Sequence, residues 1–357
     1  MKLYQGLLLS MVALCSAAAA AVAGAAAVTK PSALPIKGGE RILFIGNSLT
    51  GRLPEELNEL FAANGLPGFE GHRLQIWNQT FQTHWTLSRE THAPLFHDPV
   101  PDHADGYAVK GACTLWKKGQ YNDPNYVNRG YILAAEAIRN GTPDGKPWDI
   151  VVLQSYRSNL EQNKMTTGPG GKPVFEGPFM KYGALLIGEI RKIGAQPVFY
   201  QPWIGNPEQG GGQDNSNSWY NTNFDRIVAN HKILSEACGG IPVIPVGPAM
   251  RILSKERRPK GAPVGWLVAD NVHASTFGKA LMLYMIGSAL SGKPATELNW
   301  NPPGGQYTPG KPVITDKARK ETWVMTAETD RLIKQVAAEQ LHAAGFQTRK
   351  NNTTTTP

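Results

Sequence analysis

Short apolar runs alternate along this chain with longer segments that repeat apolar residues at helical spacing. The predicted strands are 41–45, 72–78, 149–154, 196–200 and 241–246. The predicted helices are 54–64, 131–139, 179–193, 224–238 and 276–290. Runs of this length with little alternation are typical of strands buried on both faces. The alternation of strand and helix therefore predicts βαβ units and a parallel sheet covered on both sides, a three-layer α/β/α fold.

The same pattern divides the chain into four parts. Lys2, an apolar stretch and small residues at 21–23 are typical of a secretory signal peptide, so we expect cleavage after residue 23 or as late as 27. The parts are a signal peptide at 1–23, an α/β domain at 38–292, an extension with one helix at 293–345 and a disordered tail at 346–357. We expect an exported protein, periplasmic or extracellular, without stable membrane insertion.

Three long polar segments interrupt the predicted strands and helices. They are 84–126, 163–178 and 205–221. Loops of this length in a compact domain usually form lids or binding loops. Trp203, Trp219 and Tyr220 flank the third segment, where they either stack on sugar faces or pack inside the fold.

Composition and charge narrow the function classes. The chain is 41% hydrophobic and 18% charged, which is typical of a globular protein, and its formal net charge is +8. Because the basic residues are scattered, with one run at 255–260, we expect no nucleic-acid partner. Pairing of Cys113 with Cys238 stays open, and so does the oligomeric state.

The first chemical signal follows the first predicted strand. Ser48, in Gly46-Asn47-Ser48, stands between that strand and a helix. In an open α/β sheet, ligands bind outside the carboxyl ends of the strands, and a helix amino terminus favours negative charge. Ser48 is therefore either a nucleophile beside an oxyanion site or a simple helix cap.

The second signal is the pair Asp270 and His273, placed just before an apolar helix. A serine nucleophile needs a base, and the base needs a carboxylate to hold its tautomer. Asp and His three residues apart can face the same way. The alternative is a turn aspartate beside a surface histidine.

Together these two blocks resemble those of the SGNH (GDSL-like) hydrolase superfamily. The resemblance is to its exported bacterial members in particular. The resemblance spans residues 41–290 and includes the segment 148–154 (WDIVVLQ). It implies a flavodoxin-like parallel sheet, the SGNH hydrolase fold. It also implies that Ser48 is the nucleophile, His273 the general base and Asp270 its partner.

Two further blocks of that family are not plain in this chain. One supplies a glycine N–H to the oxyanion hole, and the other an asparagine side chain. Gln154 could substitute for the asparagine, and the Ser48 N–H would be a further donor. For the glycine block we favour the region around Trp85, with the segment 111–115 as the alternative.

The resulting prediction is a serine esterase that works through an acyl-enzyme, without metal or organic cofactor, on a small-molecule or glycan ester. The resemblance implies an O-acetyl group on carbohydrate as one such substrate. One alternative is a non-catalytic glycan-binding protein with an incomplete oxyanion hole. Another is a metal site, since histidines and aspartates lie close together in the polar segment, although their spacing matches no metal motif. These residues are His84, His92, His97, His103, Asp98, Asp102 and Asp105.

Overall fold

The computed structural model describes most of the expected α/β domain and part of the extension. The described residues are 34, 36–75, 80–86, 114–117, 134–155, 163–205, 217–269, 272–300, 312–315 and 322–347. The expected signal peptide, most of the expected tail, Cys113 and Asp270 lie outside them. Among the described residues, no helix has both the length and the apolar character that crossing a membrane requires.

Ten strands and eight α-helices are described. The strands are β1 Arg41–Gly46, β2 Glu70–Gln75, β3 Thr114–Lys117, β4 Ile150–Leu153, β5 Lys164–Thr167, β6 Pro173–Glu176, β7 Gln196–Tyr200, β8 Val243–Ile244, β9 Pro312–Thr315 and β10 Thr322–Val324. The helices are α1 Leu53–Ala63, α2 Phe81–Thr86, α3 Ala134–Asn140, α4 Pro178–Lys192, α5 Asn217–Ala237, α6 Val246–Lys255, α7 Thr276–Ser291 and α8 Ala327–Ala343.

The main sheet confirms the predicted fold class. Its strand order is β3-β2-β1-β4-β7-β8, and the five strands from β2 to β8 pair in parallel. Counted along the chain, those five have the order 2-1-3-4-5, which is the flavodoxin-like order. The sheet differs from the expectation at one edge, where β3 pairs antiparallel with β2. That strand lies inside the segment expected to be a polar loop, and its four residues carry no apolar run.

Alternate residues of each central strand face two separate cores. In β1, Ile42 and Phe44 pack on one side, and Leu43 and Ile45 on the other. The first core receives the apolar faces of α1, α6, α7 and α8. The second receives those of α2, α3 and α4 and the end of α5. This is the three-layer arrangement that the sequence pattern predicts.

The remaining elements agree with the expectation in part. The segment 163–178 contains the antiparallel hairpin of β5 and β6. Helix α6 begins directly after the short strand β8, so the predicted strand at 241–246 is shorter than expected. Helix α8 buries Ile333, Val336 and Leu341 in the first core, so the described part of the extension shares that core.

Cys238 carries a free, buried thiol near the end of the second core. Burial raises the pKa of this thiol to about 11, although the nearby Arg191 acts in the opposite direction. A thiol in such surroundings stays protonated and reacts slowly.

Candidate active site

Ser48 lies in a tight turn at the carboxyl edge of the sheet. The Asn47 carbonyl accepts from Thr50 N at 2.9 Å, and the Asn47 side-chain oxygen accepts from Leu49 N at 2.9 Å. Ser48 is partly exposed between these buried neighbours. The structure does not support the helix-cap alternative, because the cap position of α1 is Arg52 and no side chain caps it.

Gly46 allows two polar side chains to pack over the end of β1. A Cβ at this position would overlap Thr50 Oγ1 and would lie 2.7 Å from Gln154 Oε1. Any residue larger than glycine would displace one of them. The glycine therefore permits a close approach of side chains at this position.

Gln154, directly after β4, is bonded through one end of its amide. Its Oε1 accepts from Asn47 N at 3.0 Å and from Thr50 Oγ1 at 3.2 Å. The backbone N–H of Asn47 can only donate, so this contact fixes which end of the amide is oxygen. Gln154 is 1% exposed, and its Nε2 has no hydrogen-bond partner among the described residues. A buried amide donor left unbonded costs free energy, which a ligand oxygen would recover.

His273 lies at the end of a closed turn before α7. Ala269 N donates to the His273 carbonyl at 2.8 Å. Ser275 caps α7 and also donates through Oγ to the Trp266 carbonyl at 2.6 Å. These bonds hold the backbone on both sides of the partly exposed His273.

Trp203 connects this turn to the sheet. The residue follows β7, is 1% exposed and donates from Nε1 to the Val272 carbonyl at 2.7 Å. Burial of Trp203 agrees with the packing alternative for this residue. The side chains of Trp219 and Tyr220 lie outside the described part of α5.

Ser48 and His273 lie at the same edge of the sheet. Ser48 follows β1, while the turn before His273 is bonded to the segment after β7, and β4 lies between these strands. Two strand spacings amount to about 10 Å, which side chains and loops can bridge. Lys279 Nζ, in α7, also lies 2.8 Å from Glu56 Oε1 in α1. This ion pair joins the helix that follows His273 to the helix that follows Ser48. The direct contact between Ser48 Oγ and His273, with Asp270 as partner, stays a prediction.

Trp85 lies in α2, which follows β2, and packs against the second core. At this position in a helix the backbone N–H ordinarily bonds to the carbonyl four residues earlier. Phe81 N, at the start of α2, donates to the buried Ser155 Oγ at 3.3 Å, so the helix begins beside the end of β4. A part for Trp85 in the oxyanion hole stays a prediction.

His84 is fully buried beside the Ser48 turn. Its Nε2 lies 3.0 Å from the Gly46 carbonyl oxygen, and burial lowers the pKa of its imidazole to about 4, opposed by that hydrogen bond. The other histidines and aspartates of the metal alternative lie outside the described residues. Within the described part of the chain, no group of three or more His, Cys, Asp or Glu side chains could hold a metal. This contact of His84 could not be predicted from the sequence, where the residue begins a polar segment expected to be a loop.

Comparisons with known proteins bear on the fold. No protein-family model matches the chain, and no curated protein matches it. A solved DUF4886 family protein from Bacteroides uniformis ATCC 8492 is similar at 15% identity and a TM-score of 0.51, covering 88% of this chain and 98% of that chain. This similarity supports the three-layer fold.

Two further solved structures have TM-scores below 0.5, too low to support a conclusion about this chain. A candidate acylhydrolase from Bacteroides fragilis NCTC 9343 has a TM-score of 0.37 at 13% identity, with 76% of this chain and 93% of that chain covered. The acetylxylan esterase Axe2 of Geobacillus stearothermophilus has 0.36 at 15% identity, with 71% and 93% covered.

Proposed function

We propose that this protein is an exported serine esterase of the SGNH type. The observation that carries the proposal is the buried amide Nε2 of Gln154, which lies beside the turn that presents Ser48 and has no hydrogen-bond partner among the described residues. A preorganised donor in a position that excludes water, close to the nucleophile, is what stabilisation of an oxyanion requires. The held turn around His273, at the same edge of the sheet, supplies the base.

The proposed reaction proceeds through an acyl-enzyme. Ser48 Oγ attacks the ester carbonyl carbon while His273 takes the hydroxyl proton, with Asp270 orienting the imidazole. The tetrahedral intermediate then collapses, the bond to the alcohol oxygen breaks, and His273 returns the proton to the leaving alcohol. Water, activated by the same imidazole, releases the carboxylic acid and regenerates Ser48. These steps are balanced without a metal or an organic cofactor.

The proposed oxyanion hole combines three donors. They are the Ser48 N–H, the Gln154 amide Nε2 and an N–H from the segment around Trp85. Gln154 takes the place of the asparagine of the SGNH pattern. Each such donor is worth about 3–4 kcal/mol of transition-state stabilisation.

The substrate proposed is an ester on carbohydrate, such as an O-acetyl group, which the resemblance to exported SGNH hydrolases suggests. Purified protein without the signal peptide is assayed with p-nitrophenyl acetate and with acetylated xylan. We expect turnover that falls by roughly 10⁴-fold or more in Ser48→Ala. Gln154→Leu should lower kcat by about 10²–10³-fold.

The result that counts against the esterase proposal is wild-type turnover no faster than that of Ser48→Ala on both substrates. Binding of an acetylated or deacetylated glycan without turnover, measured by calorimetry, would instead support the non-catalytic alternative. Retention of wild-type kcat in Gln154→Leu would remove Gln154 from the oxyanion hole while leaving the serine mechanism in place.

A further inference from the structure

The peptide bond between Gly46 and Asn47, directly before Ser48, is held at both of its polar ends by buried side chains. The Gly46 carbonyl oxygen lies 3.0 Å from His84 Nε2, and Asn47 N donates to Gln154 Oε1 at 3.0 Å. The C=O and N–H of a trans peptide point in opposite directions. His84 and Gln154 therefore hold this one peptide plane from opposite sides.

The chemistry of the His84 contact fixes its tautomer. A backbone carbonyl only accepts hydrogen bonds, so Nε2 of His84 must carry the proton. The other ring nitrogen, Nδ1, is buried and has no hydrogen-bond partner among the described residues. A neutral imidazole protonated at Nε2 is the form that fits this buried position without an unpaired charge.

The two contacts form one continuous chain of polar groups. It runs from His84 through the Gly46–Asn47 peptide to Gln154, and Thr50 adds a second donor to the same Gln154 oxygen. Hydrogen bonds in series polarise one another and restrict one another's geometry. Since the Oε1 end of Gln154 is held by this chain, the direction of its Nε2 is set by the same bonds.

We propose that His84 is a positioning residue for the esterase site: it fixes the Gly46–Asn47 peptide plane, and through it the aim of the Gln154 amide and the placement of Ser48. This inference rests on the proposed function. His84 does not touch substrate or the reacting atoms. Its action is transmitted through one peptide unit, so it should affect the rate of the chemical step more than substrate binding.

His231 offers a matched control in the same molecule. It is also fully buried, also bonds one ring nitrogen to a backbone carbonyl, Ile227 O at 2.8 Å, and also leaves its other nitrogen unbonded among the described residues. Its acceptor lies one turn earlier in its own helix and not in the Ser48 turn. A loss of buried packing or of a buried hydrogen bond should therefore cost about the same at both positions, whereas of these two histidines it is His84 that bonds to the peptide before Ser48.

The test compares His84→Phe, His84→Gln and His231→Phe in p-nitrophenyl acetate hydrolysis, with thermal unfolding measured in parallel. We expect His84→Phe to lower kcat by about 10–100-fold with KM changed by less than about threefold. His84→Gln keeps a donor at the ε position and should recover most of the lost kcat. His231→Phe should lower the unfolding temperature while its kcat stays within about twofold of wild type.

Equal kcat in His84→Phe and His231→Phe would overturn the positioning role, and so would a failure of His84→Gln to exceed His84→Phe. If His84→Phe does not fold, His84→Gln is compared with His84→Asn, whose amide reaches the δ position; equal kcat values in these two variants overturn the proposal. Long-range ¹H–¹⁵N spectra of the wild type should show His84 protonated at Nε2 only, and protonation at Nδ1 alone would contradict it. Absence of turnover in the wild type would refute the proposed function itself. The comparisons among the His84 and His231 variants test the positioning role alone.

Discussion

Replacing Gly46 with alanine would place a methyl group where two polar side chains already lie. The added Cβ overlaps Thr50 Oγ1, and it lies 2.7 Å from Gln154 Oε1 and 3.3 Å from Gln154 Cβ. Thr50 and Gln154 are 2% and 1% exposed, so neither can swing into solvent. At least one must move. Movement of Gln154 would break the hydrogen bond from Asn47 N to Gln154 Oε1.

The expected cost has two parts. Forcing an extra methyl group into a packed site costs about 1–3 kcal/mol. Loss of the hydrogen bond between Asn47 and Gln154 costs about 1 kcal/mol. A destabilisation of roughly 2–4 kcal/mol should lower the unfolding temperature by several degrees. Displacement of the Gln154 amide should also lower kcat by about 10²-fold.

The assay is thermal unfolding together with ester turnover for Gly46→Ala and for a control, Gly188→Ala. Gly188 lies in α4, and a Cβ there would meet nothing within 4 Å. Alanine in a helix interior is favoured over glycine by about 1 kcal/mol, so the control should be as stable as wild type or more stable, with unchanged kcat. If Gly46→Ala matches the control in both measurements, the described packing of Gln154 over Gly46 is wrong, and the oxyanion donor and the His84 inference lose their support.

Three further predictions concern other parts of the structure. Trp203→Phe removes the donor to the Val272 carbonyl and also leaves a smaller ring in a buried site, so we expect a loss of roughly 2–4 kcal/mol in unfolding free energy and about tenfold in kcat. A wild-type kcat in this variant would show that Trp203 does not place His273. Because burial lowers the pKa of both His84 and His231 from 6.5 to about 4, unfolding takes up protons between these values. Stability is therefore full above pH 6.5 and falls as the pH drops toward 4, by roughly 4 kcal/mol from pH 7 to 5 for the two together. Urea unfolding at both pH values measures this loss, which His231→Phe should roughly halve, and an unchanged loss would contradict the assignment. Cys238 should react with a thiol reagent only after denaturant is added, and rapid labelling of the peptide that contains Cys238 in the folded protein would contradict its burial.

Most of the fold could be predicted from the sequence because burial and spacing are local signals. Segments such as 41–45 and 196–200 carry the apolar run of a strand buried on both faces, and β1 and β7 lie there. The antiparallel β3 could not be predicted, since four residues of mixed polarity carry no such run, and pairing with β2 is decided by contacts distant in sequence.

Part of the candidate site could likewise be predicted from the sequence, and part could not. Ser48 could be placed at the carboxyl edge of the sheet from its position after a predicted strand, and Gln154 could be named as a donor from its position after another. The burial of His84 and its contact with Gly46 could not be predicted, because a histidine in a polar segment does not indicate which backbone group it will contact. Such a pairing depends on how α2 packs beside β1.

The most direct test of the central claim is the site of covalent labelling by a fluorophosphonate, read by peptide mass spectrometry. We predict one adduct, on the peptide that contains Ser48, with no labelling in Ser48→Ala and labelling slowed by at least about 10²-fold in His273→Ala. An adduct on any other serine, or no adduct on a folded wild-type protein, would contradict the assignment of Ser48 as nucleophile. Equal labelling rates in wild type and His273→Ala would contradict the assignment of His273 as its base.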